Sequence, residues 1–454
     1  MMRFELTKEF IDSLCEAIEL KDEKATLDLI EKLHAADIAE IYDELDIDEA
    51  KFIHLLLEDE KSSDVLVELE DDVREKFLQS MPSMEIAKKI IYGIDSDDAA
   101  DIIGTFSDEK QQEILTHIDD IVQAGDIVDL LNYDEDSAGG LMAKELVAVN
   151  ENWNITKSLR EMRKQAEELD DVFFVYVTDD DNILKGTLSL KKLLLLSESI
   201  NIKTACNKEV ISVNVETPSE EVANIMDKYD LVALPVIDSI GRLVGRITID
   251  DVVDVIREEA GKDYQMMSGI SEDIESTDNV LVQTRARMPW LIIAMFGGIL
   301  SSRVIYQFTG ELSFLPQMAM FIPMITGMGG NVGIQSSAII IQGLANNSLG
   351  IESPFKKLIK EFLIALVNGS ILSTIILVFN LLTSDSYIIT IAVSIALFSV
   401  ILFATLFGTF VPLILDRFKI DPALATGPFI TTVDDISGVF IYLAICKLLL
   451  GVLG

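Results

Sequence analysis

Two adjacent acids, Asp434 and Asp435, are the sharpest chemical feature of this sequence. They lie twelve and thirteen residues after Pro422, within an apolar stretch that runs on to Leu450. A carboxylate at the centre of a lipid-spanning helix costs at least ~2.5 kcal/mol, so its natural place is beside water or a cation. Neighbouring helical positions point about 100° apart, so the two acids are expected to have different roles. Thr431, Asp435 and Gly438 fall at i, i+4 and i+7 on one stripe, which favours Asp435 as the ion-facing acid. A hydrogen-bonded, protonated carboxyl is the plain alternative. A second polar weak point is PMITGMGGNVGIQSS, where Gly327, Gly329, Gly330 and Gly333 surround Asn331, with Gln335 one turn further on. Glycines at that depth let helices approach closely or let carbonyls face a cavity. Carboxylate, amide and carbonyl oxygens select hard cations such as Mg²⁺ or Ca²⁺. Mg²⁺ sheds water reluctantly and binds through one or two carboxylates while keeping several waters.

The elements that hold these groups are set by where the charge lies. The chain has 454 residues and a formal charge of −40. Beyond residue 280 there are eight acids and nine bases, so residues 1–280 carry 68 acids, 27 bases and −41. Uncharged runs of 40, 23 and 30 residues follow Glu311, Glu361 and Asp385. With PWLIIAMFGGILSSRVIYQF before them and Pro422–Leu450 after them, they make five expected spans, each long enough for the roughly 20 residues a bilayer needs. Arg285, Arg287, Lys356, Lys357, Lys360, Arg417 and Lys419 then share one side, leaving Arg303 and Lys447 opposite. That asymmetry puts the N-terminus in the cytoplasm and the C-terminus outside. The acidic first part argues against nucleic-acid binding. Three scattered cysteines (Cys15, Cys206, Cys446) form no metal pair or disulfide framework, and no phosphate-cradling GxxxxGK[ST] loop is present.

Residues 1–132 show apolar positions at helical spacing between short acidic turns, as in DIAEIYDELDIDEAKFIHLLL, and read as an all-α superhelical stack. Ser96 and Ser107 precede acids and suit helix capping. The next stretch contains a repeat. VYVTDDDNILKGTLSLKKLL (175–194) aligns with LPVIDSIGRLVGRITIDDVV (234–253) at an offset of 59. Each copy reads as strand, turn, strand, helix. The two copies resemble a tandem CBS pair, over 133–200 and 201–257, a module that often binds adenine nucleotides. The family's Ser/Thr-x-x-Asp contact is present at Thr248 and Asp251 but absent from the first copy, where Ser189 is followed by Lys192. Asp251 also fits a plain helix-start residue.

The whole chain resembles the MgtE family of magnesium channels and transporters. The match is carried by YDEDSAGGLM (133–142), RMPWL (287–291), PMITGMGGNVGIQ (323–335) and DPALATGPFITTVDDISG (421–438). The resemblance implies a homodimer in the cell membrane, with a pore between subunits lined by the second and fifth spans. It places the pore aspartate at Asp435 and a pore carbonyl at Thr431, with Asp434 as an extra acid beside them. It further implies a plug helix over 258–284, joining the CBS pair to a five-helix transmembrane domain over 285–454. Crowded negative charge in two adjacent subunits suggests that Mg²⁺ bridges acids there and closes the pore. Candidate sensor ligands are Asp97, Asp98 and Asp101 on one side, and Asp250, Asp254, Glu258 and Glu259 on the other. The expected function is Mg²⁺ transport without enzymatic activity, with Mg²⁺ both carried and regulatory and ATP as a candidate CBS ligand. The alternatives are a CBS-regulated transporter of Co²⁺, Ni²⁺ or Mn²⁺, or a carrier of another solute. A membrane enzyme is disfavoured because the three histidines, His34, His54 and His117, all fall in the helical domain.

Overall fold

The computed structural model of the chain describes residues 4–69, 71–169, 172–197, 200–272, 274, 279–345, 354–383, 386–425 and 427–453. It divides into two compact units, one ending at Arg257 and one starting at Glu258.

The first unit opens with short helices whose acids often serve as caps. Asp46 Oδ1 accepts from the backbone N–H groups of Asp48 and Glu49 at 2.9 and 2.8 Å, while Glu49 reaches back to the Asp46 N–H. His34 and Asp37 make the same reciprocal box one helix earlier. Such pairs satisfy N–H groups that a helix start leaves open. Between the caps, Leu14, Ile30, Ile38, Ile41, Ile53, Leu66 and Ile90 are fully buried in one core. Ser107 precedes the helix Asp108–Leu115 without a side-chain capping bond. Ser96 is the first residue of helix α1 (Ser96–Gly104), not its cap, because Asp95 takes that position.

The repeat folds as two three-stranded sheets. In the first, β1 (Val147–Asn150) runs parallel to β2 (Val175–Thr178), which pairs antiparallel with β3 (Leu184–Leu188). In the second, β4 (Val213–Asn214), β5 (Ala233–Ile237) and β6 (Leu243–Thr248) repeat that order. Val177 faces Gly186 in one sheet and Val236 faces Gly245 in the other, the same register in both copies. The matched acids hold the turns: Asp179 accepts from the N–H groups of Asp181 and Ile183, and Asp238 from those of Ile240 and Arg242. The two turns also bond each other, Leu184 N–H to Gly241 O and Leu243 N–H to Asn182 O, both at 3.0 Å.

Helix α2 (Ile249–Met267) follows β6 directly. It starts earlier and stops sooner than the single helix expected over 258–284. Gly269 has φ +82°, a left-handed conformation that ends a helix cheaply only at glycine. Residues 273 and 275–278 of that expected helix lie outside the described residues.

The second unit continues with α3 (Val280–Gln307), a short helix Thr309–Phe314 and a 3₁₀ turn Pro316–Phe321. Then come α4 (Ile322–Ala345), α5 (Pro354–Thr383), α6 (Tyr387–Arg417) and α7 (Pro428–Leu453). Among the described residues three helices are long and apolar enough to cross a membrane, α3, α5 and α6, where five spans were expected. The other two long helices, α4 and α7, have 24 and 26 residues and carry the glycines and the paired acids. Of the apolar windows, 61% of that in α6 is buried against 6% in α3 and 11% in α5. So α6 is the central helix, and the outer apolar faces of α3 and α5 need lipid or another chain to cover them.

Candidate ion pathway

Glycine dictates how α4 meets its neighbours. A Cβ on Gly330 would lie 3.3 Å from Thr431 Cγ2, and one on Gly329 would lie 3.1 Å from Val400 Cγ1. Gly333 is tighter still, since a Cβ there would collide with the Asp434 carboxylate. On α6, a Cβ at Gly408 would collide with the Gly333 carbonyl. Thus α4, α6 and α7 touch almost backbone to backbone around Gly333.

That packing separates the two acids. Asp434 is 1% exposed, and among the described residues neither carboxylate oxygen has a hydrogen-bond partner. Asp435 is only partly buried, as is Thr431, whose hydroxyl donates at 3.0 Å to the carbonyl of Gly427, the residue just before α7. Gly327, Asn331 and Gln335, spaced by four, form an exposed strip along α4. Amide groups and one accessible carboxylate therefore lie on open faces of two helices packed through glycine.

A different concentration of acid occurs in the first unit, where α1 meets the CBS pair. The backbone N–H and hydroxyl of Ser96 donate to Glu145 Oε2 at 3.2 and 2.7 Å, so a residue 49 positions away caps α1. Arg246 pairs with Asp95 at 3.2 Å. Burial, and then the charge of Asp251, push the carboxyls of Asp97 and Asp98 above the usual range, Asp98 to about 7. Asp251 is raised too, by its own burial, although Thr248 donates to its Oδ2 from N–H at 3.0 Å and from the hydroxyl at 2.7 Å. A nearby cleft of about 490 Å³ is lined by Glu58, Glu60, Asp64, Glu68 and Asp98.

Comparison with known proteins decides the family. A relative from Thermus thermophilus named magnesium transporter MgtE is 32% identical over 443 residues, covering 96% of this chain and 98% of its own. The chain belongs to the MgtE family. The MgtE relative of Bacillus subtilis is 29% identical and covers 92% of each chain. Family profiles match in order: the MgtE intracellular N domain at 33–136, CBS domains at 138–199 and 202–258, and the MgtE divalent cation transporter at 322–445. Two solved structures resemble the first unit. The soluble part of a magnesium transporter is 27% identical with TM-score 0.50, covering 56% of this chain and 99% of that one. The cytosolic domain of the Mg²⁺ channel MgtE in complex with ATP is 33% identical with TM-score 0.51, covering 54% and 99%.

Within this MgtE fold the candidate residues fall into three groups. Asp435, Thr431, Asn331 and Gln335 lie on the α4 and α7 helices, with Asp434 turned inward against Gly333. Asp97, Asp98 and Asp251 are close enough to perturb one another, and Asp101 adds to the charge felt by Asp98. The others find lysine or arginine or face solvent: Asp254 pairs with Arg257 at 3.4 Å, Glu258 and Glu259 pair with Lys262 at 2.8 and 3.2 Å, and Asp250 is exposed. Among the described residues no three His, Cys, Asp or Glu side chains gather as a ready metal site. Glu145 and Arg246, which hold α1, were not singled out from sequence, because their partners lie 49 and 151 residues away. Tyr442 was missed although it continues the Thr431, Asp435 and Gly438 stripe at i+7 from the acid.

Proposed function

We propose that this chain conducts Mg²⁺ across the cytoplasmic membrane as a homodimer, the pore lying between the α4 and α7 helices of the two subunits. All five long helices of the second unit cross the bilayer, with the N-terminus inside and the C-terminus outside. Asp435 is the pore carboxylate, with the Thr431 carbonyl one turn before it and Asn331 and Gln335 facing the same water. The single supporting observation is the split between the acids: Asp435 remains accessible while Asp434 is sealed against Gly333. A divalent ion gains ~4.6 kcal/mol per 100 mV moving to a negative interior, so no pump is needed.

Regulation belongs to the acidic joint of α1 with the CBS pair. Asp97 and Asp98 repel Asp251, Asp101 adds to the charge at Asp98, and Mg²⁺ relieves that repulsion, favouring a closed state. Asp250, Asp254, Glu258 and Glu259 extend the sensing surface along α2. ATP is a ligand of the CBS pair, with Thr248 and Asp251 as its contacts on the second copy; loss of ATP binding in Thr248→Ala, measured by calorimetry, checks that assignment. The central test is Mg²⁺ uptake into liposomes by the purified chain and by Asp435→Ala. Uptake lost with folding and dimer retained supports the pore reading, and undiminished uptake rejects it.

A further inference from the structure

The outer part of the Asp435 stripe ends on a buried hydroxyl. Tyr442 lies seven residues beyond Asp435, two helical turns along the same line. Its side chain is fully buried, and its hydroxyl donates to the Met318 carbonyl at 2.8 Å. Met318, itself 1% exposed, sits in the 3₁₀ turn Pro316–Phe321. That turn runs into α4 at Ile322 with no intervening residue, so the bond fixes the height of α4 against α7. A second, partly exposed tie reaches the preceding short helix Thr309–Phe314, Lys447 to Glu311 at 2.7 Å. Edge-to-face contact of Phe308 with Phe440, centroids 6.3 Å apart, adds a third. Deeper in the unit the same two helices pack closely, Gly330 against Thr431, Gly333 against Asp434 and Gly438 against Ile325.

We infer that Tyr442 is a positioning residue for ion selection: its bond to Met318 sets the register of Asp435 opposite Asn331 and Gln335. This rests on the pore reading above. A hydrated Mg²⁺ is recognised by fixed spacing of oxygens around its water shell, whereas Ca²⁺ tolerates irregular geometry and sheds water readily. Register therefore governs the choice between them more than it governs total flux.

The test is uptake of Mg²⁺ and of Ca²⁺ into liposomes by the full-length chain, comparing wild type, Tyr442→Phe, Glu311→Gln and Asp435→Ala. Tyr442→Phe removes only the hydroxyl and is expected to lower the Mg²⁺ to Ca²⁺ uptake ratio about fivefold, because a site held ~1 Å looser loses geometric selection. Glu311→Gln breaks the partly exposed tie and should move the ratio less than about twofold. Equal slowing of both ions in Tyr442→Phe, with the ratio unchanged, would overturn the inference, as would an equal shift in Glu311→Gln. Retained uptake in Asp435→Ala would instead reject the pore reading itself. Should Tyr442→Phe not accumulate as folded dimer, Pro316→Ala loosens the Met318 anchor from the other side. It must then shift the ratio in the same direction, and an unchanged ratio counts against the register role.

Discussion

The two units of this chain bury acid in opposite ways. Where α1 meets the CBS pair, Asp97, Asp98 and Asp251 crowd together but stand among donors: Thr248 serves Asp251, and Arg246 holds Asp95 nearby. In the helical unit Asp434 has no partner for either oxygen among the described residues, and its neighbour Asp435 is only partly buried. The contrast separates two uses of a buried carboxylate. In the first unit, donors offset only part of the burial and charge repulsion, and the carboxyls of Asp97, Asp98 and Asp251 stay raised. In the second, glycine packing seals Asp434 and leaves Asp435 partly accessible.

The largest effect should come from breaking the second arrangement. Asp435→Asn is expected to cut liposomal Mg²⁺ uptake at least ~10-fold, whereas Asp434→Asn, a neutral isostere in a sealed position, should cost less than about twofold. Reversed outcomes would exchange the two roles. Next is the response of the first unit to protons. Asp98 titrates near 7 when folded and near the ordinary carboxyl value when unfolded, so between about pH 4 and 7 the folded state binds more protons. Stability then falls as pH rises through that window, by on the order of 3 kcal/mol. Thermal unfolding of the full chain in detergent with chelator should show a lower midpoint at pH 7.5 than at pH 5, and Asp98→Asn should reduce the difference, Asp97 and Asp251 keeping the rest. A flat profile in the wild-type protein would contradict the crowding. Gly333→Ala tests the sealed packing. The added methyl meets the Asp434 carboxylate and should cost about 2 kcal/mol, part of it recovered in the double variant with Asp434→Ala. Simple additivity in that cycle would mean the two residues do not share a contact. Smallest is Glu145→Gln, which weakens the cap on α1 by about 1 kcal/mol and should raise protease sensitivity between 93 and 105 without changing ion selectivity.

Much of the architecture was legible because it is written locally. The offset of 59 found both copies of the repeat, and the matched Asp179 and Asp238 prove to be the residues that hold equivalent turns. The apolar runs located the long helices, and helical angles alone separated Asp434 from Asp435. What sequence did not reveal depends on distant partners. Tyr442 finds Met318 across 124 residues, and Arg246 finds Asp95 across 151. Thr248 and Asp251 have the spacing of a nucleotide contact, yet the same spacing lets them bond each other at the start of α2. The connecting helix, expected over 258–284 from the resemblance alone, spans Ile249–Met267, and Gly269 with φ +82° follows it.

The reciprocal bonds between the Asn182 and Gly241 turns have a mechanical result. Neither half of the repeat can rotate by itself without stripping backbone partners from its twin. Turning one half against the other would cost those bonds, about 1 kcal/mol each, so the two halves resist moving separately.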